Sequence, residues 1–140
     1  MLFRSGRYGR TALQAAAEGG HLNVVERLLQ EKAEVNAAAA SEYGRTALQA
    51  AAGGGHLAVV ERLLQEKAEV NAAAVYYNGR TALQAAAERG HLAVVKRLLQ
   101  ERAEVNAVAA DKYGKTALQA AIRGGYKRVI GCLCQAGAVR

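Results

Sequence analysis

Proline and tryptophan are absent from this chain, phenylalanine occurs once and cysteine twice. Without proline, turns must be built by glycine and by residues that tolerate glycine's conformations. With aromatics at only 5% of residues, the core must be made of small and medium side chains brought close together. No run approaches the roughly 18 apolar residues of a membrane span. The opening MLFRSGRYGR has no apolar stretch of the kind that marks a secretory leader. Cys132 and Cys134 lie two apart on one helical segment and point to different sides, which disfavours a bond between them. These features predict a reducing, intracellular setting. Neither a G-x-x-x-x-G-K-[ST] phosphate loop nor a G-x-S-x-G elbow occurs. The two thiols have histidines only in distant segments and no orienting partner. The expectation is a chain with no catalysis and no cofactor.

What is present is a repeat. Gly9, Gly44, Gly79 and Gly114 open four near-copies of one segment at a period of 35 residues. Thr11, Thr46, Thr81 and Thr116 keep the same step, as do His21, His56 and His91, with Tyr126 in the fourth copy. A fixed period of this size signals a repeat architecture. Within a unit, TALQAAAE has Leu and Ala at helical spacing behind a threonine fit to cap a helix. LNVVERLLQE has one apolar face, from Leu22, Val25, Leu28 and Leu29. The predicted helices run over about 11–18 and 22–31, 46–53 and 57–66, 81–88 and 92–101, and 116–123 and 127–135. Gly53, Gly54 and Gly55 are expected to shorten or fray the first helix of the second unit. Helices this short are not stable alone in water, so each unit depends on its neighbours for burial.

GRTALQAAAEGGHLNVVERLLQEKAEVNA resembles an ankyrin repeat. It has the G-x-T-x-L opening, A-A before the turn, G-H at the turn, V-V-x-x-L-L in the second helix and V-N-A after it. The likeness covers about residues 9–138. It implies an all-α repeat solenoid of helix-turn-helix pairs joined by hairpin-like fingers, forming a single domain over 1–140. The repeats fall at about 9–43, 44–78, 79–113 and 114–138. The near-identity of the units is similar to that of fungal-type signalling arrays and of consensus or engineered arrays. Three departures stand out. T-A-L-Q replaces the usual T-P-L-H. Lys32, Lys67 and Arg102 stand where a left-handed glycine is usual, while Gly137 keeps it. The period exceeds the usual ~33 residues, and the extra length is expected in the fingers.

The resemblance implies binding of a protein partner, through finger tips and the concave side of the first helices. Arg10, Arg45, Arg80 and Lys115 form a basic column just before each first helix, and Arg89 and Arg123 extend it at the helix ends. Tyr43, Tyr76, Tyr77 and Tyr113 lie in or beside the fingers, where the copies diverge most. Two alternatives stand beside this reading. The net charge of +7 and the column suit an electrostatic binder of nucleic acid or another acidic partner. A structural or engineered array with no specific partner is the other. Basic residues alternate with acids elsewhere, as in Glu26-Arg27 and Glu61-Arg62, which argues against nucleic acid.

The histidines are not expected to bind metal. Stacked helices sit about 10 Å apart, whereas zinc needs ligands about 2 Å from the ion. Their expected role is to tie the turn by hydrogen bonds. The first unit has the sequence of an internal unit, so its N-terminal face is expected to be apolar and open around Leu13, Ala16 and Leu22, and to drive self-association. In the fourth unit Lys127, Arg128, Gly131, Cys132 and Cys134 replace the repeated residues, which reads as a polar C-terminal cap.

Overall fold

The computed structural model describes residues 10–39, 44–74, 79–108 and 115–139. Among them the chain forms eight α-helices and no strand. The helices are α1 (Ala12–Gly19), α2 (Leu22–Gln30), α3 (Ala47–Gly54), α4 (Leu57–Gln65), α5 (Ala82–Glu88), α6 (Leu92–Gln100), α7 (Ala117–Gly124) and α8 (Lys127–Gln135). These bounds fall within about a residue of those the periodicity predicts. The lengthened fingers, with Tyr43, Tyr76, Tyr77 and Tyr113, lie outside the described residues, as do residues 1–9.

Each first helix starts at a threonine whose hydroxyl accepts the backbone N–H of the glutamine three residues on. That glutamine's side chain accepts the threonine N–H in return. Two of the four orphan donors of a helix start are satisfied this way without proline. All four first helices are closed by a left-handed glycine, at Gly20, Gly55, Gly90 and Gly125. The expected fraying of the second unit's first helix does not occur: α3 is as long as α1. The shortened helix is α5, in which Arg89 stands at the position held elsewhere by Gly19, Gly54 and Gly124. A Cβ at Gly54 would fall 2.5 Å from the His56 ring. Arg89 carries that Cβ, and α5 stops one residue earlier, at Glu88.

The second helices α2, α4 and α6 end on Lys32, Lys67 and Arg102 at φ of 68°, 65° and 65°. The N–H of Lys32 bonds the carbonyl of Leu29, and that of Ala33 bonds Leu28. This is the pairing that a glycine normally closes. A lysine there costs about 1 kcal/mol relative to glycine. Lys67→Gly is therefore expected to raise the melting temperature by a few degrees in a thermal melt. An unchanged or lower melting temperature would mean that the left-handed turn carries no strain at Lys67.

The first helices pack in sequence along one row, α1 on α3, α3 on α5 and α5 on α7, and the second helices along another. The first-helix row is the more closely packed, because its contact residues are alanines: Ala47, Ala51, Ala52, Ala82, Ala86 and Ala87 are buried. A stack drawn tighter along one row curves toward that row. Leu48, Val59, Val60 and Leu63, with their counterparts one unit on, fill the space between the rows. The apolar residues form one continuous core along the array rather than one per unit.

One set of polar side chains ties each first helix to the segment leaving its own unit, and two further sets bridge neighbouring units. Gln14 Nε2 donates to the carbonyls of Ala37 and Ala38, Gln49 Nε2 to those of Ala72 and Ala73, and Gln84 Nε2 to that of Ala107. Asn36 donates to the Lys67 carbonyl and accepts the Glu69 N–H, and Asn71 and Asn106 repeat this one and two units on. His56 Nε2 bonds the Glu18 carbonyl and His91 Nε2 the Gly53 carbonyl, both in the last turn of the preceding first helix. The histidines thus bond across units, satisfying a carbonyl that helix geometry leaves open. Among the described residues, no buried side-chain nitrogen or oxygen lacks a partner.

The two ends of the stack differ. Leu13 and Ala16 are buried in the first unit, contrary to the expected open face around them. Both pack into the core shared with α3. The open N-terminal surface is carried by other positions. Ala12 is exposed where Ala47, Ala82 and Ala117 are buried, and Val24 is 50% exposed against 1% for Val59. At the other end Ile122, Cys134, Lys127 and Arg128 are exposed. Ile122 stands where Ala17, Ala52 and Ala87 are fully buried against the next unit.

Candidate partner-binding face

The capping boxes fix the start of each first helix and so place Arg10, Arg45, Arg80 and Lys115 one residue before each N-cap. The residue eight positions on lies near the other end of the same helix, exposed in units one, three and four and buried in unit two. In unit one Arg10 pairs with Glu18 in this way. In unit three Arg80 Nε lies 3.3 Å from the Glu88 carboxylate. The corresponding residues in units two and four are Gly53 and Arg123. Among the described residues, Arg45, Lys115 and Arg123 have no carboxylate partner.

Among the described residues, two hollows on this face stand out. One of about 300 Å³ is lined by Arg80, Gln84, Glu88, Lys115, Ala120 and Arg123. A shallower one, of about 30 Å³, brings together Arg45, Gly53, Arg80, Glu88 and Arg89. Of the six basic residues named from the sequence, five line one hollow or the other, and Arg10 lines neither. Glu88 is the single carboxylate in both linings, so positive charge is concentrated there. A larger depression, about 540 Å³, lies on the second-helix side, lined by Leu29, Gln30, Lys32, Arg62 and Glu66. Its charge is partly compensated, with Arg62 bonded to Glu66 at 2.8 Å and Lys32 beside them.

Cys132 and Cys134 are unpaired, the first half-buried and the second exposed. No cluster of histidine, cysteine, aspartate and glutamate with metal-binding geometry occurs among the described residues. No helix there is long and apolar enough to cross a membrane.

The bridging glutamines and asparagines had no place in the sequence reading. Their signal was available, since a polar residue identical in every copy beside apolar ones has a backbone group to satisfy.

A search of the curated proteins finds no match. A family model of ankyrin repeats, three copies long, matches residues 3–74 and again 72–139. The helix pairs stack as that family requires, and together the two matches span nearly the whole sequence: the chain belongs to the ankyrin-repeat family.

Proposed function

We propose that this chain is a non-catalytic scaffold, and that it binds a protein partner through its first-helix face and fingers. Ankyrin repeats generally mediate protein–protein interaction and are typically without enzymatic activity. The observation that carries the finer reading is where the copies agree and where they differ. Leu48, Leu63, Val59 and their counterparts are identical because stacking requires them. The residues at 18, 53, 88 and 123 are Glu, Gly, Glu and Arg, and of these Glu18, Glu88 and Arg123 are exposed. The fingers differ likewise, with Tyr76 and Tyr77 in the third. The two unpaired thiols support an intracellular setting.

Tyr76→Ala with Tyr77→Ala is expected to weaken partner binding by about 2 kcal/mol, the scale of an aromatic hot spot. Stability should change far less. Gln30→Ala and Gln65→Ala, on the second-helix side, should change neither. Titration of each variant against a captured partner, alongside a melt, checks this. Loss of binding in the glutamine variants alone would move the binding face to the other row. A second copy docking on the open N-terminal face, where Val24 and Ala12 are exposed, is an accompanying proposal.

A further inference from the structure

We infer that the first-helix face is built to take an acidic peptide segment in extended form, with two carboxylates about six residues apart. The inference rests on the scaffold reading and specifies what that face recognises. Units one and three carry an internal cation–carboxylate pair across the first helix, Arg10–Glu18 and Arg80–Glu88. Units two and four keep the cation and lack the acid, having Gly53 and Arg123 in its place.

The acids at 18 and 88 are not there for the helix itself. A carboxylate in the last turn faces the negative end of the helix dipole, which disfavours it. Their role is to pair with the cation eight residues earlier. Where they are missing, Arg45 faces Gly53 with Arg89 nearby, and Lys115 and Arg123 share the larger hollow. Each place lacks one negative charge that the neighbouring unit supplies for itself.

The spacing follows from the stack. Adjacent packed helices lie about 8–10 Å apart, so the two places, two units apart, are separated by roughly 16–20 Å. An extended chain rises about 3.3 Å per residue, so about six residues span that distance. Between the two places lies Glu88, which would repel a continuous acidic run. The face therefore favours separated acids with neutral residues between them. The same carboxylate disfavours a nucleic-acid backbone, which carries charge at every nucleotide.

The test restores the missing carboxylates. Gly53 is buried but accepts a Cβ, which would meet only the Ala85 Cβ at an ordinary 3.5 Å, so the Gly53→Glu side chain has to extend from there toward Arg45. With Arg123→Glu, all four units would then carry the internal pair. The probes are neutral twelve-residue peptides of serine, glycine and alanine containing two glutamates six positions apart or two positions apart. Calorimetric titration at about 50 mM salt should show the wider spacing binding a few-fold more tightly, since the narrower peptide keeps one exposed ion pair and loses the other. The double variant should lose that few-fold preference while still unfolding in one cooperative melt. Equal binding of the two peptides, or undiminished binding by the double variant, overturns the inference. So does a twelve-nucleotide single strand that binds more tightly than either peptide. Selection from a random dodecapeptide display separates the two levels of failure. Enriched peptides lacking the spaced acids overturn this inference and leave the scaffold reading standing, whereas no enrichment overturns both.

Discussion

Leu63→Ala is expected to lower stability by about 3–4 kcal/mol, while Leu28→Ala, the same change one unit earlier, should lower it by about 1 kcal/mol. Leu63 is fully buried, as are Leu98 and Leu133, whereas Leu28 is only partly covered. Truncating a buried leucine loses its transfer free energy and leaves a cavity that rigid neighbours cannot close. In this array the neighbours are two alanine-lined helix pairs with few flexible side chains to move in. Position adds to the effect. Leu63 lies in α4, which packs on both α2 and α6, so its loss weakens two interfaces at once. Stability in a solenoid is a sum of unit and interface terms, and about three units are needed for an array to hold. Weakening the second of four units leaves the first poorly coupled to the rest, so the variant's melt should broaden. Denaturant titrations of both variants measure the difference. Equal losses would mean that the N-terminal face is as well covered as the interior. A Leu28→Ala loss that grows with protein concentration would identify the cover as a second copy.

The array was legible in the sequence because the repeat puts the same physical demand on the chain four times. Thr46, Leu48, Val59 and Leu63 recur at one spacing, and helices, boundaries and stacking order follow from that recurrence. The left-handed backbone at Lys67 was legible from a departure, a long side chain where glycine is expected, and φ of 65° is what the structure has there. What was misread depends on direction in space. Leu13, Ala16 and Val24 are equally apolar letters in the first unit. Which of them meets the next unit and which looks outward is set by helix phase relative to a neighbour, which a single unit's periodicity does not give. The shortening of α5 was missed for a related reason. Composition points to the triple glycine at 53–55 as the weak helix, yet α5, with Arg89 where α3 has Gly54, is the one that ends a residue early. At the candidate site, the sequence supplied the basic residues but not their pairing. The eight-residue step from Arg10 to Glu18 spans a whole short helix, so it becomes a contact only when both ends face the same side.

Gln49→Leu is expected to lower stability by about 2–3 kcal/mol, and Gln119→Leu, the same residue in the same motif, by about 0.5 kcal/mol. Both glutamines accept the N–H of their N-cap threonine, at 3.0 Å in each case. Only Gln49 goes further. Its Nε2 donates to the carbonyls of Ala72 at 3.1 Å and Ala73 at 3.2 Å, in the segment that leads out of α4 toward the next unit. Gln49 is 2% exposed, whereas Gln119 is open to water. Leucine matches glutamine closely in size, so the change removes hydrogen bonds without opening a large cavity. At position 49 it leaves one donor and two acceptors facing a buried leucine in place of their partner, in partly buried surroundings. A polar group buried without a partner loses its full hydration, which is why the loss exceeds the modest net value of the bonds themselves. At position 119 water replaces the single lost bond. Paired melts of the two variants measure the difference directly. A difference near zero would mean that the bridge from Gln49 to the following segment contributes nothing and that the glutamine serves only as a helix cap. The expected gap of about 2 kcal/mol would instead show that T-A-L-Q ties the first helix to the segment leaving its own unit, a role its cap geometry alone does not require.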